Sequence, residues 1–347
     1  MSAERMEIDP DPLAFYELAL ERRWTEGAPL LPPTDDRVDT LLAATPYEGD
    51  RPLGLLPPQY GELTVELAAV NAAMAGVEPD AFPYVLAALE GVLAPEWNAY
   101  ALTTTTSSVH PMLIVNGPGR TRLGVDHKAG CLGGAGGRGS MTIGRAVSLC
   151  LRNVGGQRAG ETSRTVFGQP ARFGLCFGEW EERSPWPSLA ERAGFTSEDE
   201  VVTVHGGKGN FPFADINNDD PADLAYMIAK CIAFPLNNWY LELSGDSGQL
   251  VLLVNPVWAE RLAHRYPDVA DLQAELHEHA WQPIDLFRPT NQAVLEAKGR
   301  VDDKGRVYLC GRPDQLVPVV CGGLGGLHGQ ALTSFVQSEM QTMKVVR

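Results

Sequence analysis

The sequence predicts an α/β protein. A helical N-terminal region, residues 1–98, packs on a mixed, largely parallel sheet carried by residues 99–347. Three observations predict it. Residues 1–98 hold successive segments with helix-start chemistry and helical apolar spacing. From residue 99 short apolar runs appear, and each ends at a Gly, a Pro or a polar residue. Helical stretches separate several of these runs, which is the alternation that parallel strands require.

The N-terminal elements follow in order. Asp11 and Pro12 open a first helix, with Leu13, Tyr16, Leu20 and Trp24 on one face. "EGAPLLPP" stops it. Thr34 caps "DDRVDTLLAA", whose acids fall in the first turn as the helix dipole prefers. "ELTVELAAVNAAMAG" is a third helix ending at Gly76, and "AFPYVLAALEGVL" a fourth. Their small faces, Ala68, Ala69, Ala72, Ala73, Ala87 and Ala88, suit close helix contact.

The strands are "MLIVNGPG" (112–119), "RFGLCFGE" (172–179), "VVTVHGGKG" (201–209), "LVLLVNPV" (250–257) and "LVPVVCGGLGG" (316–326). Continuous apolarity predicts burial on both faces. Helices are expected over 140–153, 221–234, 256–265 and 268–280. "LIVNGPGRTRLG" and "LLVNPVWAERLA" share a strand-turn-helix pattern, which suggests a pseudo-duplicated unit with Asn116 and Asn255 at matching strand ends.

Composition narrows the function. A net charge of -16 disfavours nucleic acid and anionic membrane surfaces as partners. No run is long and apolar enough to span a bilayer, and the acidic N-terminus has no signal-peptide core. The six cysteines form no CxxC pair and several sit in apolar runs, so reduced thiols in a cytoplasm are expected.

In open α/β sheets, ligands bind beyond the carboxyl ends of the strands. Those ends carry Asn116, Glu179, His205, Asn255 and Cys321, and the adjoining loops carry His110 and His328. "ALTTTTSSVHP" places six hydroxyl side chains before His110, as in an ordinary strand or a polar pocket with a histidine acid or base. Glycines 130 to 139 precede a helix for which Ser140 is the expected N-cap. That helix start, with Gly134, Gly136, Arg138 and Arg145, is a candidate anion site. The same glycines serve equally where backbone passes backbone. The GxGxxG formed by Gly134, Gly136 and Gly139 lacks the strand before it and the acid after it that a dinucleotide site needs. No cofactor motif is evident. A metal ion at Asp126, His127 and Cys131 is a minor alternative, and "DINNDD" (215–220) reads as the cap of a helix opening at Pro221.

"RWTEGAPLLPPTDDRV", "AAVNAAMAG", "LIVNGP", "MTIGRAVSLCLRNVGG" and "SPWPSLAERAGF" together resemble bacterial proteins that occur beside, or fused to, the UGSC selenoprotein-like domain. The resemblance covers roughly residues 20–200 and implies no settled reaction. The chain departs from it in two ways. Val77 stands where many relatives carry Cys, and no UGSC motif is present, so this chain supplies no selenol.

The residues point to a cytoplasmic enzyme, of lyase or hydratase type, acting on a small anionic metabolite. His110 and His205 would carry protons, the 133–140 loop with Arg138 and Arg145 would hold the anion, and Asn116 and Asn255 would orient it. Two alternatives stand beside this reading. One is an oxidoreductase or transferase using Cys321, with His328 nearby and a separate redox partner protein. The other is a non-catalytic subunit or binding protein. The abundance of Ala and Gly suits a homo-oligomer.

Overall fold

The computed structural model describes residues 5–9, 11–133, 137–234, 240, 247–335 and 337–347. In chain order the elements are α1 (Pro12–Glu21), α2 (Asp35–Leu42), β1 (Pro52–Leu56), β2 (Gly61–Thr64), α3 (Val65–Ala75), α4 (Phe82–Leu93), α5 (Ala99–Thr104), β3 (His110–Asn116), α6 (Gly119–Arg122), α7 (Arg138–Asn153), β4 (Leu175–Gly178) and α8 (Leu189–Arg192). They continue as β5 (Val201–Ala214), α9 (Pro221–Ile232), β6 (Leu250–Val254), α10 (Pro256–Ala263), α11 (Val269–His279), β7 (Trp281–Pro283), α12 (Pro289–Ala297), β8 (Arg306–Tyr308), β9 (Leu316–Val320), β10 (His328–Ser334) and β11 (Gln341–Lys344).

The chain forms two compact units. The first comprises Met1–Gly178, Ala190–Lys208 and Met340–Arg347, and the second Glu179–Leu189 and Gly209–Glu339. Residues 1–98 thus belong to the first unit together with β3 and β4. The fold is α/β with a mixed sheet of seven strands, in the order β4-β3-β5-β10-β6-β9, with β11 on β5.

In the first unit, β3 lies between a parallel partner, β4, and an antiparallel one, β5. In the second, β6 lies between parallel β9 and antiparallel β10. Each trio follows the same chain order: central strand, parallel neighbour, antiparallel neighbour. The two trios thus share a chain order and a pattern of strand directions. The parallel share is smaller than predicted, because the returning strand of each trio runs antiparallel. An apolar run identifies a buried strand but carries no information about its direction. All residues of β3, β6 and β9 are buried, as continuous apolarity predicts. Among the described residues β9 ends the strand order, a position in a sheet where a proline is accommodated, and it holds Pro318.

Caps and small residues explain the helices of the first unit. Asp11 accepts from Leu13 N, Thr64 accepts from Leu67 N, and Gly76 closes α3 at φ 78°. Ala68, Ala69, Ala72 and Ala73 of α3 are buried, and α3 packs on α7. Gly139 and Gly144 let α7 meet backbone. A Cβ at Gly139 would lie 2.4 Å from Leu123 O, and one at Gly144 would lie 2.9 Å from Leu175 N.

Three local expectations are corrected. In α1, Phe15 and Ala19 are buried, while Leu13 is 69% exposed; the helix is apolar on several sides, so spacing alone did not select its face. Residues 62–64 belong to the β1–β2 hairpin, and the helix begins at Val65. The threonine row is not a strand. Thr103 and Thr104 end α5, where their hydroxyls bond back to Ala99 O and Tyr100 O.

The second unit buries one apolar cluster, including Leu224, Ile228, Leu252, Trp258, Leu272 and Leu276. It gathers residues of α9, α10 and α11 with those of its strands. Asp220 caps α9 at Pro221, as the "DINNDD" stretch predicts.

Candidate functional site

The sequence-selected residues divide between the two units. His110, Asn116, Arg138, Ser140, Arg145 and His205 belong to the first, and Glu179, Asn255, Cys321 and His328 to the second.

At the glycine-rich loop, Gly134 and Gly136 lie outside the described residues. The described part is a tight backbone crossing. The N-cap position of α7 is Gly137, not Ser140. Gly137 N donates to Asp126 Oδ2 at 3.0 Å, and Gly139 N donates to Leu123 O at 3.1 Å. Ser140 Oγ faces back and accepts from Asp126 N at 2.8 Å. The carboxylate drawn to this helix start is therefore the protein's own. Both arginines are also committed. Arg138 pairs with Glu78 at 2.6 Å and Arg145 with Glu26 at 2.8 Å, and each also bonds main-chain carbonyls nearby. Close packing, rather than an external anion, accounts for Gly137, Gly139 and Gly144.

The histidines occupy the sheet. His110 is 4% exposed and begins β3, whereas Asn116 ends it, about 20 Å away at about 3.3 Å per residue. The two cannot flank one small substrate. β5 runs antiparallel, so His205 lies opposite Met112 and diagonal to His110 on the same sheet face. The fold therefore brings the histidines near one another but buries both. Burial pushes the His110 pKa down to about 3, aided by the charge of Arg172, so its ring is neutral near pH 7. A proton-carrying role at His110 would need a ring that charges near pH 7, which its burial opposes.

In the second unit, Asn255, Cys321 and His328 do gather at one end of β6. Cys321 N donates to Val254 O at 3.1 Å, and Asn255 Nδ2 donates to His328 O at 2.8 Å. Trp180 N donates to Val320 O, which brings Glu179 alongside by chain connection. The side chains have structural duties. Asn255 caps α10 by accepting from Trp258 N, and Glu179 accepts from Leu189 N at 2.7 Å. Cys321 is buried. Asn116 ends its strand without capping a helix, because Gly117 separates it from the turn into α6. The two asparagines thus share a strand end but not a role.

The structure presents a feature the motif reading passed over. A cavity of about 620 Å³ opens in the first unit. Phe15, Trp24, Val38, Leu67, Val70 and Met74 form apolar walls. Asn71 and Asn153 bring the amides. Asn71 Nδ2 donates to Leu67 O, and Asn153 Nδ2 donates to Asn71 Oδ1 at 2.8 Å. Asn153 Oδ1 is buried and accepts no hydrogen bond. Asp39, Glu66 and the Arg5–Asp35 ion pair also line the cavity. Segments 23–38, 68–76 and 141–156 supply much of the lining.

A signal for this cavity was present in the sequence. Asn71 interrupts an alanine-rich helix at a position that must be buried if the small face packs. A buried polar side chain needs partners, and Asn153 supplies one. What no pattern revealed is that residues 82 apart would meet.

Among the described residues, no three His, Cys, Asp or Glu side chains group as a metal site, and no helix is long and apolar enough to cross a membrane. Comparison with protein-family models, curated proteins and solved structures returns no match.

Proposed function

We propose that this protein binds a small, mainly apolar molecule in the cavity beside α3, with one N–H or O–H group of the ligand donated to Asn153 Oδ1. The carrying observation is that buried acceptor without a donor, on a cavity of about 620 Å³. Buried polar atoms are normally satisfied, and apolar pockets of this size with few polar groups are the common form of small-molecule sites. The lining carries Asp35, Asp39 and Glu66 against Arg5 and Arg22, so its charges nearly balance and a neutral donor suits it.

A second reading is favoured by Asp39 and Glu66. Two carboxylates on one cavity offer groups for turnover of the lyase or hydratase type expected from the sequence.

The test is a fragment screen by thermal shift and ligand-observed NMR, using small amines, amides and alcohols against matched hydrocarbons. Donor-bearing fragments should bind. Val70→Trp, which fills the cavity from a partly exposed wall position, should abolish their binding while the far-UV spectrum is kept. Asn153→Leu should remove the preference for donors over hydrocarbons. Hits that bind both variants like the parent protein refute the proposal.

A further inference from the structure

Two nitrogen-bearing side chains near the start of β3 end in buried atoms without partners. Arg172 buries its Nε with no acceptor, and its guanidinium bonds only through Nη2, to Ser163 Oγ at 2.9 Å. Among the described residues, Arg172 makes no ion pair. Burial lowers its pKa and no carboxylate counters the effect. His110 is 4% exposed, and its Nδ1 is likewise buried and unpartnered. The charge of Arg172 acts on the His110 ring.

We propose that Arg172 Nε and His110 Nδ1 together bind a small monoanionic carboxylate inside the first unit, at a site separate from the cavity beside α3. Arg172 is half-buried, but its Nε–H is fully buried without an acceptor and its charge has no counter-charge among the described residues; a partner anion offsets both. A water molecule would fill the hydrogen bonds but leave the charge unopposed. The ring can supply its donor without moving. Ser148 Oγ is 2.7 Å from His110 Nε2 and 3.1 Å from Gly144 O. Its single proton goes to one or the other. When Ser148 donates to Nε2, the ring proton resides on Nδ1, which then donates. One guanidinium beside a neutral ring offers one full positive charge, which matches a carboxylate better than a phosphate dianion.

The test uses the full chain. Thermal unfolding and titration calorimetry are run with sodium formate, with inorganic phosphate and with sodium chloride at matched ionic strength. Formate should raise the melting temperature saturably, beyond chloride. R172Q should bind formate about tenfold more weakly, the loss of one charge-assisted hydrogen bond. If R172Q does not fold, R172K keeps the charge but loses the Nε donor, and it too must bind more weakly. A formate response no greater than that of chloride, a response to phosphate alone, or full formate affinity in the folded variant overturns the proposal.

Discussion

Replacing His110 with Gln isolates the energetic cost of a histidine buried without charge. In the folded chain its pKa is depressed from 6.5 to about 3. The sign follows directly. Above about pH 6.5 the ring is neutral in both folded and unfolded chains, so its contribution to stability is fully present. As pH falls below 6.5, the unfolded chain takes up a proton that the folded chain refuses until about pH 3. Each unit of that window costs about 1.4 kcal/mol. Between about pH 7 and pH 5 the loss is about 2 kcal/mol. Gln keeps a nitrogen near the position of Nε2, where Ser148 sits, and does not titrate. Urea unfolding of both proteins at the two pH values, in a buffer free of small carboxylates, measures the difference. The parent should lose about 2 kcal/mol more than His110→Gln on acidification. All other titrating groups are common to both proteins and cancel. Equal losses would show that His110 is protonated normally in the folded state, and the account of its burial would fail.

Two further outcomes follow from packing. Gly144→Ala sets a Cβ 2.9 Å from Leu175 N and 3.0 Å from Gly174 C, main-chain atoms that cannot swing aside. It should lower stability by about 1–3 kcal/mol in urea melts, and an unchanged midpoint would contradict the close approach of α7 to the start of β4. Cys321 is buried at a strand end, so iodoacetamide should label it only at the rate of unfolding, as peptide mass mapping with and without urea would report. Labelling within minutes under native conditions would restore the cysteine-based alternative.

Much of the fold was legible in the residues. Runs such as "LVLLVNPV" announced buried strands, and Asp11, Thr34 and Asp220 marked helix starts that the structure keeps. The paired short matches placed Asn116 and Asn255 at strand ends, where the structure has them. Short strands such as β1, β7 and β11 went unread because each has too few residues to show a period. The candidate site was less legible. Arg138, Arg145 and Asn255 have the chemistry of ligand binding, but residue type does not tell whether a charge or amide faces a ligand or a neighbouring carbonyl. Asn71, Asn153 and Arg172 carry no motif, and their interest lies in bonds left open.

The sequence by itself determined the longer buried strands, several of the helices and where small residues permit close contact, because these depend on local periodicity and on the bulk of each side chain. Only the tertiary structure decided strand direction, the burial of His110 and His205, the capture of the α7 start by Asp126 and the meeting of Asn71 with Asn153. Those outcomes depend on which distant groups satisfy one another's charge and hydrogen bonds, and that pairing is a property of the packed chain rather than of any stretch within it.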